Sequence, residues 1–118
     1  MFICSEITKE KDQYSPAGIT SDFNSQDKKA ICFVRLYDIN REIQVHWKWY
    51  DPEGFLIRDT IQFDSLVNTQ NDFIAVQTMY DELEFAQVKK PIKSGVWTVV
   101  FYLEDRLVGS LNFTIKEQ

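Results

Sequence analysis

One imidazole, His46, and two thiols, Cys4 and Cys32, are the softest ligands and strongest neutral-pH bases that this sequence offers. Nucleophilic catalysis needs a base that activates Ser or Cys, and His46 is the one histidine present. It lies on the polar side of an alternating run, with Gln44 and Lys48 two residues away on either side, and no glycine-rich elbow accompanies it. That pattern predicts a surface histidine and no catalytic residue. Two cysteines and one histidine also fall short of the four ligands that a structural zinc site takes, at spacings that match no zinc motif. Free buried thiols are the expectation. A Cys4–Cys32 bridge is the alternative, since both fall in neighbouring expected strands.

Carboxylates raise two further chemistries. Asp81, Glu82 and Glu84, with Asp51, Glu104 and Asp105 elsewhere, could in principle hold calcium or supply an acid–base pair for glycoside hydrolysis. Calcium loops alternate oxygen ligands around a glycine turn, and Asp81-Glu82-Leu83-Glu84 has no glycine. These residues read as solvated acids. The glycines at 18, 54, 95 and 109 are too dispersed for a phosphate-cradling loop or a dinucleotide fingerprint. No catalytic, cofactor-binding or metal-binding residues are therefore expected, and the chain is not expected to be an enzyme.

The elements that would position these groups are strands. Short runs of β-branched and aromatic residues, separated by polar and turn-forming clusters, predict an all-β chain of about seven strands. Residues 2–7 form the first run, and 9–29 read as a long loop-rich connection with Ile19 and Phe23 as anchors. In 30–39, Cys32, Val34 and Leu36 alternate with Phe33, Arg35 and Tyr37, and Arg35 turns the Cys32 side inward. The clearest alternation is 43–50: Ile43, Val45, Trp47 and Trp49 on one face, Gln44, His46, Lys48 and Tyr50 on the other. Asp51-Pro52-Glu53-Gly54 fits a type I turn, so 55–63 should return as a hairpin. A polar loop over 64–72, with Leu66 and Val67 as tethers, leads to a strand over 73–79. Residues 81–85 then continue it with Leu83 and Phe85 inward, or form a helical turn. The runs 96–103 and 107–115 close the chain, with Trp97, Val99, Phe101 and Leu103 on one face of the first. Hairpin order groups 43–50, 55–63, 96–103 and 107–115 in one layer, and 2–7, 30–39 and 73–85 in the other. Trp47, Trp97 and Phe113 should be core residues.

With 118 residues, the chain is expected to form a single domain over 1–118. Hydrophobic residues at 44% and charged residues at 26% exclude wholesale disorder and coiled coil. A formal net charge of −5 repels a phosphate backbone, and Lys28-Lys29 and Lys89-Lys90 with Lys93 make no polybasic patch. Nucleic acid is not an expected partner. No window approaches the roughly 18 consecutive apolar residues of a membrane span. Met1-Phe2-Ile3-Cys4-Ser5-Glu6 has no basic leader and too short an apolar stretch for a signal peptide. The chain as written is thus expected to be a soluble, acidic cytoplasmic protein, or periplasmic or cell-surface if a signal peptide was trimmed.

Trp47-x-Trp49-Tyr50-Asp51-Pro52-x-Gly54, then Ser94-Gly95-x-Trp97-Thr98-Val99, then Leu107-Val108-Gly109-x-x-x-Phe113 resemble an immunoglobulin-like or fibronectin-type β-sandwich. They are similar in particular to small bacterial domains of that kind, most of them of unassigned function. The resemblance covers nearly the whole chain from residue 30 onward. It implies an immunoglobulin-like antiparallel sandwich without adhesion or immune recognition, because Cys32 has no partner cysteine in 96–103. Such modules act through surfaces, so protein binding or self-association is expected. The alternative is a small apolar ligand held between the sheets among Trp47, Trp49, Trp97, Phe101 and Phe113. The surface would be the outward set of two adjacent strands, His46 and Tyr50 with Val100 and Tyr102, which carries little charge for a solvated face. Cover of that strip by Ile19 and Phe23 from the N-terminal segment is the competing expectation.

Overall fold

A computed structural model of the protein describes residues 1–10, 13–37, 42–64 and 76–117. The described residues are all-β apart from one 3-10 turn. The strands are β1 (Phe2–Glu10), β2 (Gln13–Ile19), β3 (Asp22–Asn24), β4 (Lys29–Tyr37) and β5 (Ile43–Tyr50). They continue with β6 (Leu56–Asp64), β7 (Val76–Glu84), β8 (Gly95–Leu103) and β9 (Arg106–Lys116). The polar loop expected at 64–72, with Leu66 and Val67, lies outside the described residues but for residue 64, and so do residues 38 and 39 and the start of the strand expected from 73.

Two sheets share the strands. One has the order β2-β1-β4-β7 and the other β3-β9-β8-β5-β6. The expected grouping into layers therefore holds, and nine described strands replace about seven because two lie in the stretch expected as a connection. β2 pairs antiparallel with β1, from Cys4 opposite Ile19 to Glu10 opposite Gln13. The three residues of β3 run parallel to β9, Phe23 beside Ile115. The N-terminal segment thus extends both sheets.

Alternation decides the core. On β5 the odd residues are buried and the even ones half-buried, and β8 repeats the pattern through Trp97, Val99 and Phe101. Trp47, Trp97 and Phe113 are all core residues. They join Cys32, Val34, Met79 and Leu83 of the opposite sheet in one apolar cluster, so the two sheets enclose a common interior. Its aromatic rings touch: Trp47 and Phe101 have centroids 5.0 Å apart, and Phe113 meets Trp49 at 5.8 Å and Trp97 at 6.2 Å.

β4 is buried on both faces. Phe33, expected outward, forms a second small cluster with Ile31 and Cys4 on the outer side of the four-stranded sheet, closed by Ile7 and Tyr80. The Arg35 guanidinium, 5.4 Å from the Phe33 ring centre, extends that cover. Cys4 and Cys32 therefore belong to opposite faces of one sheet and are free thiols. Burial pushes Cys32 up to about 12. The Trp47 indole beside it acts in the opposite direction, although its Nε1 makes no hydrogen bond of normal geometry. A thiol held in this way is un-ionised at neutral pH and a poor nucleophile.

Candidate functional site

Pairing of β5 with β8 places His46 opposite Tyr102, Lys48 opposite Val100 and Tyr50 opposite Thr98. Three of the four expected surface residues, His46, Val100 and Tyr102, thus come together at the centre of the outer face of the five-stranded sheet. Tyr50 lies on the same face toward the Asp51 turn. All four are half-buried. The His46 and Tyr102 rings are 5.8 Å apart, and Lys48 Nζ sits 5.5 Å from the Tyr102 ring centre. A tilted ring contact and a cation on the ring hold the Tyr102 side chain against the sheet. His46 is hydrogen-bonded through Nε2 to Asp59 Oδ1 on β6.

The neighbouring strands widen the strip with residues that the sequence reading did not include. β6 puts Ile61 opposite His46 and Phe63 opposite Gln44. β9 puts Leu107 opposite Tyr102, across a register shift in the β8–β9 pairing. One row therefore crosses the sheet as Leu107, Tyr102, His46 and Ile61. Leu107 is 66% exposed, Ile61 51% and Phe63 69%. Counting back from the Asp51–Gly54 turn puts the odd residues of β6 on the His46 face, a parity signal that was available in the sequence. Leu107 was hidden by the register shift.

N-terminal cover of this strip is not what the structure has. Phe23 is buried in the interior, edge-to-face with Phe85 and Phe113 at 6.0 and 5.7 Å. Ile19 ends β2 in the other sheet and is 61% exposed. Both side chains are committed away from the outer face of β5 and β8.

The acidic segment follows its expectation in the backbone and in Leu83 and Phe85, and departs from it at Asp81. β7 ends at Glu84, and Phe85–Gln87 form the 3-10 turn, with Leu83 and Phe85 both buried. Glu82 pairs with Lys29 at 2.9 Å, which raises the lysine's pKa. Asp81, expected in solvent, is 3% exposed. Its Oδ2 accepts hydrogen bonds from Trp49 Nε1 at 2.8 Å and Arg58 Nε at 3.1 Å, and its Oδ1 accepts one from an Arg58 terminal nitrogen at 2.8 Å. Forked pairing of this kind fixes the orientation of both side chains as well as their position. Since Arg58 lies on β6 and Asp81 on β7, the pair bridges the two sheets, and Gln62 Nε2 donates to Tyr80 O at 3.2 Å beside it. These contacts hold Arg58 and Gln62 of β6 inward; of its outward side chains Asp59 is taken by His46, while Ile61 and Phe63 are exposed. Among the described residues no three of His, Cys, Asp or Glu are placed to share a metal ion, and no helix is long and apolar enough to cross a membrane.

The sequence matches no known family model, and no curated protein is similar to it.

Proposed function

We propose that this chain is a non-enzymatic interaction module with an immunoglobulin-like sandwich architecture, and that it works by binding a second copy of itself along β6. The observation that carries this reading is β6 itself. Among the described residues it pairs only with β5, at the edge of the sheet. It is nine residues long, has no proline, and presents Ile61 and Phe63 outward. Native edges are normally blunted by lysine, proline, bulges or shortness. Along most of β6 none of these operates: Arg58 is turned inward to Asp81, and the one register shift lies at the Leu56 end.

A second copy fits this edge because antiparallel pairing about Thr60 is its own mirror in register. Ile57 would meet Phe63, and Ile61 would meet Asp59. Of the Leu107-Tyr102-His46-Ile61 row, Ile61 would take part in the contact. A two-fold arrangement of this type closes on itself without growing into a fibre. Size-exclusion chromatography with light scattering on the wild-type chain and on Ile61→Lys and Phe63→Lys tests it. Both side chains are more than half exposed, so the variants should melt with the wild type. Dimer in the wild type and monomer in both variants is the expected result. A wild-type chain that stays monomeric at every concentration reached overturns the reading.

A further inference from the structure

The opposite end of the sandwich carries a cleft that shares only Ile57 with the edge contact. The cleft, of about 330 Å³, opens between the Asp51–Gly54 turn, the segment 88–93 and the start of β8. Its buried lining is apolar, Val88 and the indole of Trp97, with the exposed Ile57 and Pro91 beside them. Its mouth is cationic, with Lys89, Lys90 and Lys93. Three ammonium groups face one lining carboxylate, Asp51, in a chain whose net charge is −5. The local field is thus opposite in sign to that of the whole molecule.

Lys93 and Lys90 are held in place, and Lys90 is not used up. Lys93 Nζ donates to Asp51 Oδ2 at 2.8 Å and lies 3.4 Å from Glu53 Oε1, while Lys90 Nζ donates to Phe85 O at 3.0 Å. An ammonium has three N–H donors, so the Lys90 bond leaves two to offer an incoming acceptor. The buried lining is equally fixed: Trp97 Nε1 donates to Lys93 O at 2.9 Å, which ties the indole to the segment that carries the charges. The volume is at the small end of the ligand-pocket range of about 300–1,000 Å³.

We propose that this cleft binds a small organic anion with a flat apolar body, its carboxylate or sulfonate at the lysine mouth and its ring against Val88 and Trp97. The site is separate from the outward row, which lies at the β8–β9 hairpin end, roughly 20 Å away along the strands. Titration of the full chain with naphthoate, followed by amide and indole NMR shifts, tests the proposal. Saturable shifts should centre on the Trp97 indole N–H and the Val88 and Lys89 amides. The uncharged naphthalenemethanol should bind about tenfold more weakly, the loss that one charge-assisted contact represents. Lys89→Glu should weaken naphthoate several-fold without changing the melting temperature. Equal binding of the alcohol, shifts centred on β6 or the Tyr102 row, or an unchanged affinity in Lys89→Glu would overturn the proposal. The comparison of the two probes on the wild-type chain decides even if that variant folds poorly.

Discussion

Asp51 shows how much one side chain can organise. Its Oδ1 accepts the N–H groups of Glu53 and Phe55, both at 2.9 Å, and its Oδ2 accepts from Lys93, so a residue 4% exposed has three hydrogen bonds on its carboxylate. Burial pushes the carboxyl up, but the Lys93 ammonium and the two backbone donors outweigh it and leave the pKa below its ordinary 3.8. Lys93 is correspondingly raised above its ordinary 10.5 by Asp51. A carboxyl with a depressed folded value contributes stability that is complete above 3.8 and is lost as pH falls through the folded value. The lysine's contribution is complete below 10.5 and is lost as pH rises through its own raised value. Thermal melts across the acid range should therefore show the wild-type melting temperature falling as pH drops below 3.8, with Asp51→Asn lower at neutral pH and flatter in acid. Parallel curves for the two proteins would show that the pair contributes nothing. The turn role of Asp51 was legible, because Asp-Pro-x-Gly specifies it; the link to Lys93, 42 residues on, was not. Asp81 is the reverse case. It shares the parity of Met79 and Leu83, both buried, and that pattern signalled an inward side chain, but nothing in the spacing reveals Arg58 as its partner on another strand.

Turns and edges explain which elements the sequence revealed. The turn Asp51–Gly54 closes with Gly54 N–H donating to Asp51 O at 3.0 Å, and Gly54 has φ 88°, a left-handed conformation that glycine adopts freely. The β8–β9 hairpin instead turns on Glu104 and Asp105, with φ of 50° and 65°, the backbone of a type I′ turn. Neither is the residue that such a turn favours, so Asp105→Gly should stabilise the chain by about 0.5–1 kcal/mol, read as a higher denaturant midpoint at unchanged slope. A lower midpoint would mean that the Asp105 side chain contributes more than its backbone strain costs. β5, β8 and β9 were legible because each buries one face, which writes a period of two into the sequence. β2 was not. Gln-Tyr-Ser-Pro-Ala-Gly-Ile has no such period, and its register comes from β1; Pro16 is tolerated because β2 is an edge. β3 escaped notice because three residues carry no pattern, although Phe23 was visible as an anchor.

At the scale of the molecule, the two ends of the five-stranded sheet differ in character. The hairpin end carries the outward apolar row and the outer part of β6, and the other end carries the lysine-rimmed cleft. The sheets are joined along the β6–β7 side by Arg58 with Asp81 and Gln62 with the Tyr80 carbonyl, which steadies β6 while its outer edge stays unpaired among the described residues. A steady edge presents backbone donors and acceptors in a fixed register, and a second strand can add to it with little loss of conformational freedom. Hydrogen exchange of the β6 amides, measured on the wild-type chain at low and at high protein concentration, tests this directly. Exchange in 56–64 should slow as concentration rises while the amides of β4 and β8 keep their protection. Exchange in 56–64 that is the same at both concentrations would contradict strand addition at this edge.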